Sequence, residues 1–393
     1  METSYHGGSE ASSDILVSPM NSNVAHLLAA LLEHQRNNAL HSDIEITILP
    51  DATTCRIMRL DEPPLLFTIP SSVGHAFAQF LAEQLSGNAA LAHTWQEDIL
   101  EITVGNTAYT AWVRIVPALG GEKITISSLD PDMKKEENVF TPSQRAVVVD
   151  ALDNRAGVIP VSAPTLGSTI TLLYALQDIL SEYASPHHLQ MEPLLGHSTL
   201  DVVRETLHRL PAFVLMTLPD APDELPEIWN AITQAAIAGS VIVVGIPGKN
   251  TASLVRELHA HTPAFLWNPL FKLSVVHAPF RSACPSCAIP MPLHPDVLEQ
   301  FSRDTDPALL RGLKSAHAPG CETCNFHGHG PTLSAVELCM PDHLPDDLYA
   351  PDFENTARSR GLHTIIDDLV SRAVAIPVPL THAAQLWNDR QRD

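Results

Sequence analysis

The chain is short of basic residues, of cysteines and of long apolar runs, and each scarcity excludes something. Only 23 Lys and Arg stand against 45 Asp and Glu, a formal net charge of −22. Such a surface opposes general attraction to nucleic-acid phosphates or anionic lipid headgroups, so neither is expected as a partner. No stretch approaches the roughly 20 apolar residues needed to span a bilayer. The opening METSYHGGSEASSD lacks the basic and apolar regions of a signal peptide, so a cytoplasmic chain is expected. Six cysteines in 393 residues are too few for a disulfide scaffold, and four of them fall in two C-x-x-C pairs. In a reducing compartment that arrangement points to metal before disulfides.

What is present suits a soluble globular protein: 45% hydrophobic residues, a mean hydropathy of +0.05, and length enough for two or three cored domains. Residues 1–22, rich in Ser, Gly and Asn, read as a disordered tail. Leu27, Leu28, Leu31 and Leu32 mark a helix over Val24–Leu40, followed by the alternating Asp43–Ile48 and by Cys55–Leu60. A helix over His75–Leu85 and strands over Ile99–Val104, Tyr109–Val116 and Lys123–Ser127 complete an α+β domain, 23–130. Polar residues 131–142 suit a linker.

From 143 to 280 strands and helices alternate: strand 157–162, helix 170–183, a loop through Pro186, His187 and His188, helix 199–209, strand 212–218, helix 226–238, strand 240–246 and helix 251–260. The continuous runs Phe213–Met216 and Val241–Val244 suit strands buried on both faces of a mostly parallel sheet. Residues 281–340 hold Cys284, Cys287, Cys321 and Cys324, four thiolates that would close a tetrahedral zinc site with no open position. With four cysteines present, His327 and His329 read as surface histidines, and Cys55 and Cys339 as ordinary buried thiols. Residues 341–393 read as a helical C-terminal segment.

The centre of this organisation is Ile159–Leu176, IPVSAPTLGSTITLLYAL: an apolar strand, a turn and a helix, the layout of a phosphate-binding loop. It resembles the form G-P-T-G-S-G-K-T-T-T-L-Y-A-L of the type II secretion and type IV pilus assembly ATPases, the GspE/PilB-like secretion NTPases. Pro164, Thr165, Thr171, Leu173, Tyr174, Ala175 and Leu176 agree with that form. Leu166 and Ser168 stand at its glycines, Thr169 at its lysine and Ile170 at its magnesium-binding hydroxyl.

The same family is suggested by Ser42–Ile46, by Arg114, Pro117 and Gly121–Lys123, by Cys324, Gly328 and Glu337 at the end of the cysteine module, and by the C-terminal Gly361–Ile366. The resemblance implies a RecA-like second domain. Pro164, Thr165, Gly167, Ser168, Thr169 and Thr171 would form a degenerate nucleotide loop, with Arg114 and Lys123 as phosphate or subunit contacts. Glu192 is what remains of the family's acidic box and is the one candidate catalytic acid. A solvated glutamate before a proline is the plainer reading of it. Leu218 stands at the Walker B glutamate and Pro247 at the family's histidine. Gly245–Thr251 carries Lys249 in a glycine-rich turn, two residues short of a phosphate-loop spacing.

The resemblance further implies a homo- or hetero-oligomer, in the family a hexameric ring, peripheral at the inner membrane through a platform protein. An active ATPase paralogue is a further implied partner. Structural Zn²⁺ is expected, while ATP and Mg²⁺ stay open. A catalytically impaired pseudo-ATPase is the leading expectation. An active ATPase with non-standard catalytic residues and a standalone zinc-stabilised binding protein are the alternatives.

Overall fold

The computed structural model describes residues 19–38, 43–57, 65–93, 96–104, 107–118, 121–129, 139–153, 156–182, 189–192, 199–209, 211–218, 225–295, 298–299, 301, 305, 310, 313–324, 326 and 328–380. The expected loop at Pro186–His188 and residues 1–18 of the expected tail lie outside them. The rest of that tail belongs to a helix.

The first domain runs α1 (Pro19–Asn38), β1 (Asp43–Ile48), β2 (Thr53–Ile57), β3 (Leu65–Ile69), α2 (Ser71–Ser86), β4 (Gln96–Val104), β5 (Thr107–Ala118) and β6 (Gly121–Leu129). Its six strands form an antiparallel sheet in the order β3-β2-β1-β6-β5-β4. Strict alternation along β1 sends Ile44, Ile46 and Ile48 to one face. There they meet Val113, Ile115, Ile124 and Ile126, under Leu28 and Leu32 of α1 and Phe77 and Leu81 of α2. The strand β3 was not expected. As the sheet's edge strand it has no fully buried residue among Leu65–Ile69, so its sequence shows no period of two.

The second domain follows as α3 (Pro142–Asp153), β7 (Gly157–Ser162), α4 (Leu166–Ser181), β8 (Leu189–Glu192), α5 (Thr199–His208), β9 (Phe213–Thr217), α6 (Leu225–Ile237), β10 (Val241–Gly245), α7 (Thr251–His261), α8 (Ala264–Leu270) and β11 (Ser274–Ala283). An excursion carrying the short strands β12 (Ile289–Met291) and β13 (Ser315–His317) comes next, then β14 (His329–Cys339), α9 (Phe353–Ser359) and α10 (Ile365–Ala375). The large sheet has the order β14-β11-β7-β10-β9-β8, parallel throughout except for β14, which runs antiparallel to β11. Every residue of β7 and β10 is buried, as continuous apolar runs in central parallel strands require. One face carries a core with Leu172, Leu173 and Leu176 of α4; the other packs α5, α6, α7, α9 and α10. Val139 and Phe140, in the expected linker, are buried in the first of these cores.

The helix expected to start at residue 170 starts at Leu166, because Thr165 caps it. Pro160 sits inside β7, where its missing N–H faces β11. Before it, Val158 makes an isolated bridge to Phe271, ahead of β11, and the β7–β11 ladder begins only at Val161. Among the described residues no helix is long and apolar enough to cross a membrane.

A buried polar seam fastens the C-terminal elements. Glu337 on β14 accepts from the Thr251 hydroxyl at the start of α7 and, at 2.9 Å, from the Ile365 N–H at the start of α10. Asp368 accepts from the Val336 N–H at 2.9 Å and from Arg372 at 3.0 Å, while Asp367 takes both 3.0 Å bonds of Arg358. Helix N-termini favour such carboxylates. Replacing Glu337 by Ala strands two buried donors, so it is expected to lower the unfolding free energy by about 2–4 kcal/mol. Urea denaturation checks this; a change below 0.5 kcal/mol, roughly the level of a surface substitution, would contradict the seam's role.

Candidate functional site

The turn after β7 lies at the carboxyl end of a central parallel strand, where α/β sheets place their ligands. It contains only Ala163, Pro164 and Thr165 before α4 begins. Its polar groups bond to one another. The Thr165 hydroxyl accepts from the Ser168 N–H at 3.2 Å, and the Ser168 hydroxyl accepts from the Thr165 N–H at 3.0 Å, a reciprocal capping box. The Thr169 hydroxyl donates to the Thr165 carbonyl at 2.9 Å and accepts from the Ala163 N–H at 3.2 Å. Thr171 donates to the Gly167 carbonyl at 3.0 Å. Thr169 is 0% exposed and Ser168 2%. A phosphate that used the Ala163, Thr165 or Ser168 amides would have to displace hydroxyls already bound to them.

The adjacent strand closes over the same turn. The Gly248 N–H donates to the Ala163 carbonyl at 2.8 Å, and the Lys249 N–H to the Ser162 hydroxyl at 2.9 Å. The structure therefore brings the Gly245–Thr251 turn, with its lysine, beside the turn after β7. Leu218, which the resemblance sets at the Walker B glutamate, is half-buried and donates its N–H to the Gly245 carbonyl at 2.9 Å. Glu192 is not brought to the loop: it ends β8, the edge strand, three strands from β7, or about 14 Å at the usual strand spacing.

The first domain reaches α4 through residues that sequence reasoning missed. Trp112 on β5 is 1% exposed and packs on Ile170, with Leu166 and Tyr174 alongside. A side chain on Gly167 would meet Ser127 of β6, whose Cβ lies 2.5 Å from where a Cβ would stand. The Ser127 hydroxyl donates to Asp43 at 2.5 Å. One signal was available: Trp112 is out of phase with Ala111, Val113 and Ile115, so it stands on the face opposite that domain's core. Arg114 shares Trp112's face of β5. Lys123 is paired with Glu45 at 3.1 Å, and Arg56 approaches the same carboxylate at 3.7 Å.

The four cysteines converge at the far end of the β11–β14 pair. Cys284 follows β11 directly and donates its N–H to the Gly328 carbonyl at 2.9 Å, so the excursion 284–328 returns to where it left. All four sulfurs lie within 4.8 Å of one another; Cys284 to Cys321 is 3.9 Å and Cys321 to Cys324 is 3.8 Å. Zn–S bonds of about 2.3 Å in a tetrahedron place sulfurs about 3.8 Å apart. The cysteines are unpaired thiols. Burial would raise the Cys324 thiol, but N–H groups of Cys321 and Gly328 directed at its sulfur outweigh that and hold it at about 6. This donor set fits zinc, which these residues would hold as a structural ion that closes the excursion. Gly328 has φ +73° and lies against the Ala318 carbonyl, a position closed to other residues. Cys55 and Cys339 are buried free thiols.

No family model matches the chain, and no curated protein matches it. Among solved structures, the ATPase DotB of Yersinia pseudotuberculosis is 12% identical over 96% of this chain and 96% of its own, with a TM-score of 0.48. The ATPase DotB of Legionella pneumophila is 14% identical over 90% and 93%, with a TM-score of 0.47. The pilus retraction motor PilT with bound ADP is 14% identical over 65% and 79%, with a TM-score of 0.39.

Purified protein is expected to carry one zinc ion per chain by native mass spectrometry, and Cys321→Ser to lose it together with thermal stability. A disulfide at Cys284 in metal-free protein would contradict this. A second expectation concerns pH. Burial pushes the Asp43 carboxyl from 3.8 to about 6, against the pull of the Ser127 hydroxyl. Its folded value exceeds the unfolded one, so its contribution is fully present below 3.8 and is lost as pH rises through about 6. Asp43→Asn, which keeps an acceptor for Ser127, should therefore stabilise by on the order of 1–3 kcal/mol at pH 7 and not at pH 3. Denaturation midpoints at the two pH values test this, and equal effects at both would refute it.

Proposed function

We propose that this chain is a catalytically impaired member of the secretion and pilus motor ATPases, acting as a structural or regulatory subunit of such a machine. The observation that carries the reading is the self-bonded turn at Thr165, Ser168 and Thr169. Groups that would cradle a phosphate are committed to the protein itself, with a threonine where the lysine would stand and Ile170 where a hydroxyl would hold magnesium. Phosphoryl transfer needs a cation on the phosphates and a held metal ion, and the turn supplies neither. Loss of the lysine removes a charge-assisted contact of about 1.5–3 kcal/mol, or roughly tenfold to a hundredfold in affinity. On this reading the chain joins an oligomeric ring, alone or with an active paralogue, and meets the membrane through a platform protein from the cytoplasmic side. The cysteine module supplies a zinc-held structural element.

A second reading, an ATPase with substituted catalytic groups, is favoured by one observation. Lys249 is anchored beside the turn through its own N–H, and its side chain would serve as the missing cation.

Mg-ATP calorimetry on the purified chain separates the two. No heat at up to about millimolar nucleotide, and none with Lys249→Ala, is the expected result. Micromolar binding followed by turnover that Lys249→Ala abolishes would overturn the impaired reading.

A further inference from the structure

The first domain's sheet has one apolar and one polar face. Ile44, Ile46, Ala111, Val113, Ile115, Ile124 and Ile126 form the core face. Alternation puts Asp43, Glu45, Arg114, Lys123, Thr125 and Ser127 on the other. Trp112 also belongs to that polar face, yet it ranks among the largest fully buried side chains of the protein. What covers it is α4. Leu166, Ile170 and Tyr174 recur every four residues and so form one stripe along the helix. Leu172, Leu173 and Leu176 point instead into the helix's own core. Trp112 and Ile170 form a buried cluster of their own, separate from the cores of either domain.

Next to this stripe, Ser127 lies against Gly167, and Trp112 and Ser127 are register partners on β5 and β6. The first sheet therefore lies across the opening turn of α4. Leu166 and Ile170 are also two of the positions at which the turn departs from the phosphate-loop form. The changes that removed a glycine and a magnesium-binding hydroxyl are the ones that supply the apolar stripe.

We propose that Trp112 and the stripe Leu166, Ile170 and Tyr174 form an interdomain latch, which holds the first domain across the start of α4 in one orientation without nucleotide. The latch deepens the reading of the turn as a former phosphate site, since it states what the turn does now.

The test uses the full chain without nucleotide, comparing wild type with Trp112→Ala and Ile170→Thr by hydrogen exchange and small-angle scattering. The expected result is at least tenfold faster exchange at 166–174 and a larger radius of gyration in both variants, with β10 amides still protected. Unchanged exchange and envelope in both would overturn the latch. Should Trp112→Ala unfold the first sheet, Ile170→Thr decides, because it alters only the helix side of the contact. Loosening then supports the latch, and silence overturns it. Hydrolysis by the wild-type protein would sink the impaired reading while leaving these outcomes intact, so the two claims fail separately.

Discussion

The first N–H groups of a helix have no partner within it and must find one elsewhere. How α4 meets that demand shapes both halves of the molecule. A glycine-rich loop leaves those groups for a phosphate; here the Ser168 N–H goes to the Thr165 hydroxyl, and the Ser168 and Thr169 hydroxyls take the Thr165 and Ala163 N–H groups just ahead of the helix. The turn shrinks to three residues, and the helix starts at Leu166. With the turn bonded to itself, Leu166 and Ile170 form an apolar stripe at the helix start, and such a stripe needs cover. Trp112 provides it, which sets where the first sheet sits.

Much of the second domain could be read from the sequence because its central strands are buried on both faces. Val241–Val244 and Phe213–Met216 can be apolar without interruption for that reason alone. The first sheet's β1 was readable for the opposite reason, its alternation of buried and half-buried residues. The strand β3 was missed because an edge strand with no fully buried residue leaves no period. The start of α4 was misplaced by four residues because Thr165 and Ser168 form a capping box across the stretch read as loop. The C-x-x-C pairs announced their chemistry through spacing, although only the fold shows that β11 and β14 bring the ends of the excursion together. The burial of Glu337 had no sequence signal, since its partners Thr251 and Ile365 are remote in the chain.

Glu337 and the cysteines act on the same strand pair. β14 is the outer strand of the large sheet, and an open edge exposes N–H and C=O groups to other chains. Asp368 takes the Val336 N–H, and α10 packs along that strand, so this edge is capped by the protein's own C-terminal helix. At the other end of the pair, the four sulfurs would let one ion close a long excursion whose loop-closure entropy would otherwise oppose it. The cysteine module thus depends on β11 and β14 being held together, and Glu337 fixes β14 to the starts of α7 and α10.

These arrangements bear jointly on what the carboxyl edge of the large sheet can bind. Two helices begin there on adjacent strands, α4 after β7 and α7 after β10, and each N-terminus would attract an anion. At α4 the Thr165 hydroxyl occupies the Ser168 N–H. At α7 the Asn250 side chain accepts from the Ser253 N–H at 2.8 Å, the Lys249 N–H is spent on Ser162, and Glu337 places a buried carboxylate on Thr251. A further anion at α7 would meet the buried Glu337 carboxyl group already bonded there. Polar groups at the starts of both helices are thus bonded within the protein, through different residues on different strands. Opening the turn at α4 alone would leave the Glu337 and Asn250 bonds at α7 in place, so this edge is closed by two independent sets of bonds on separate strands.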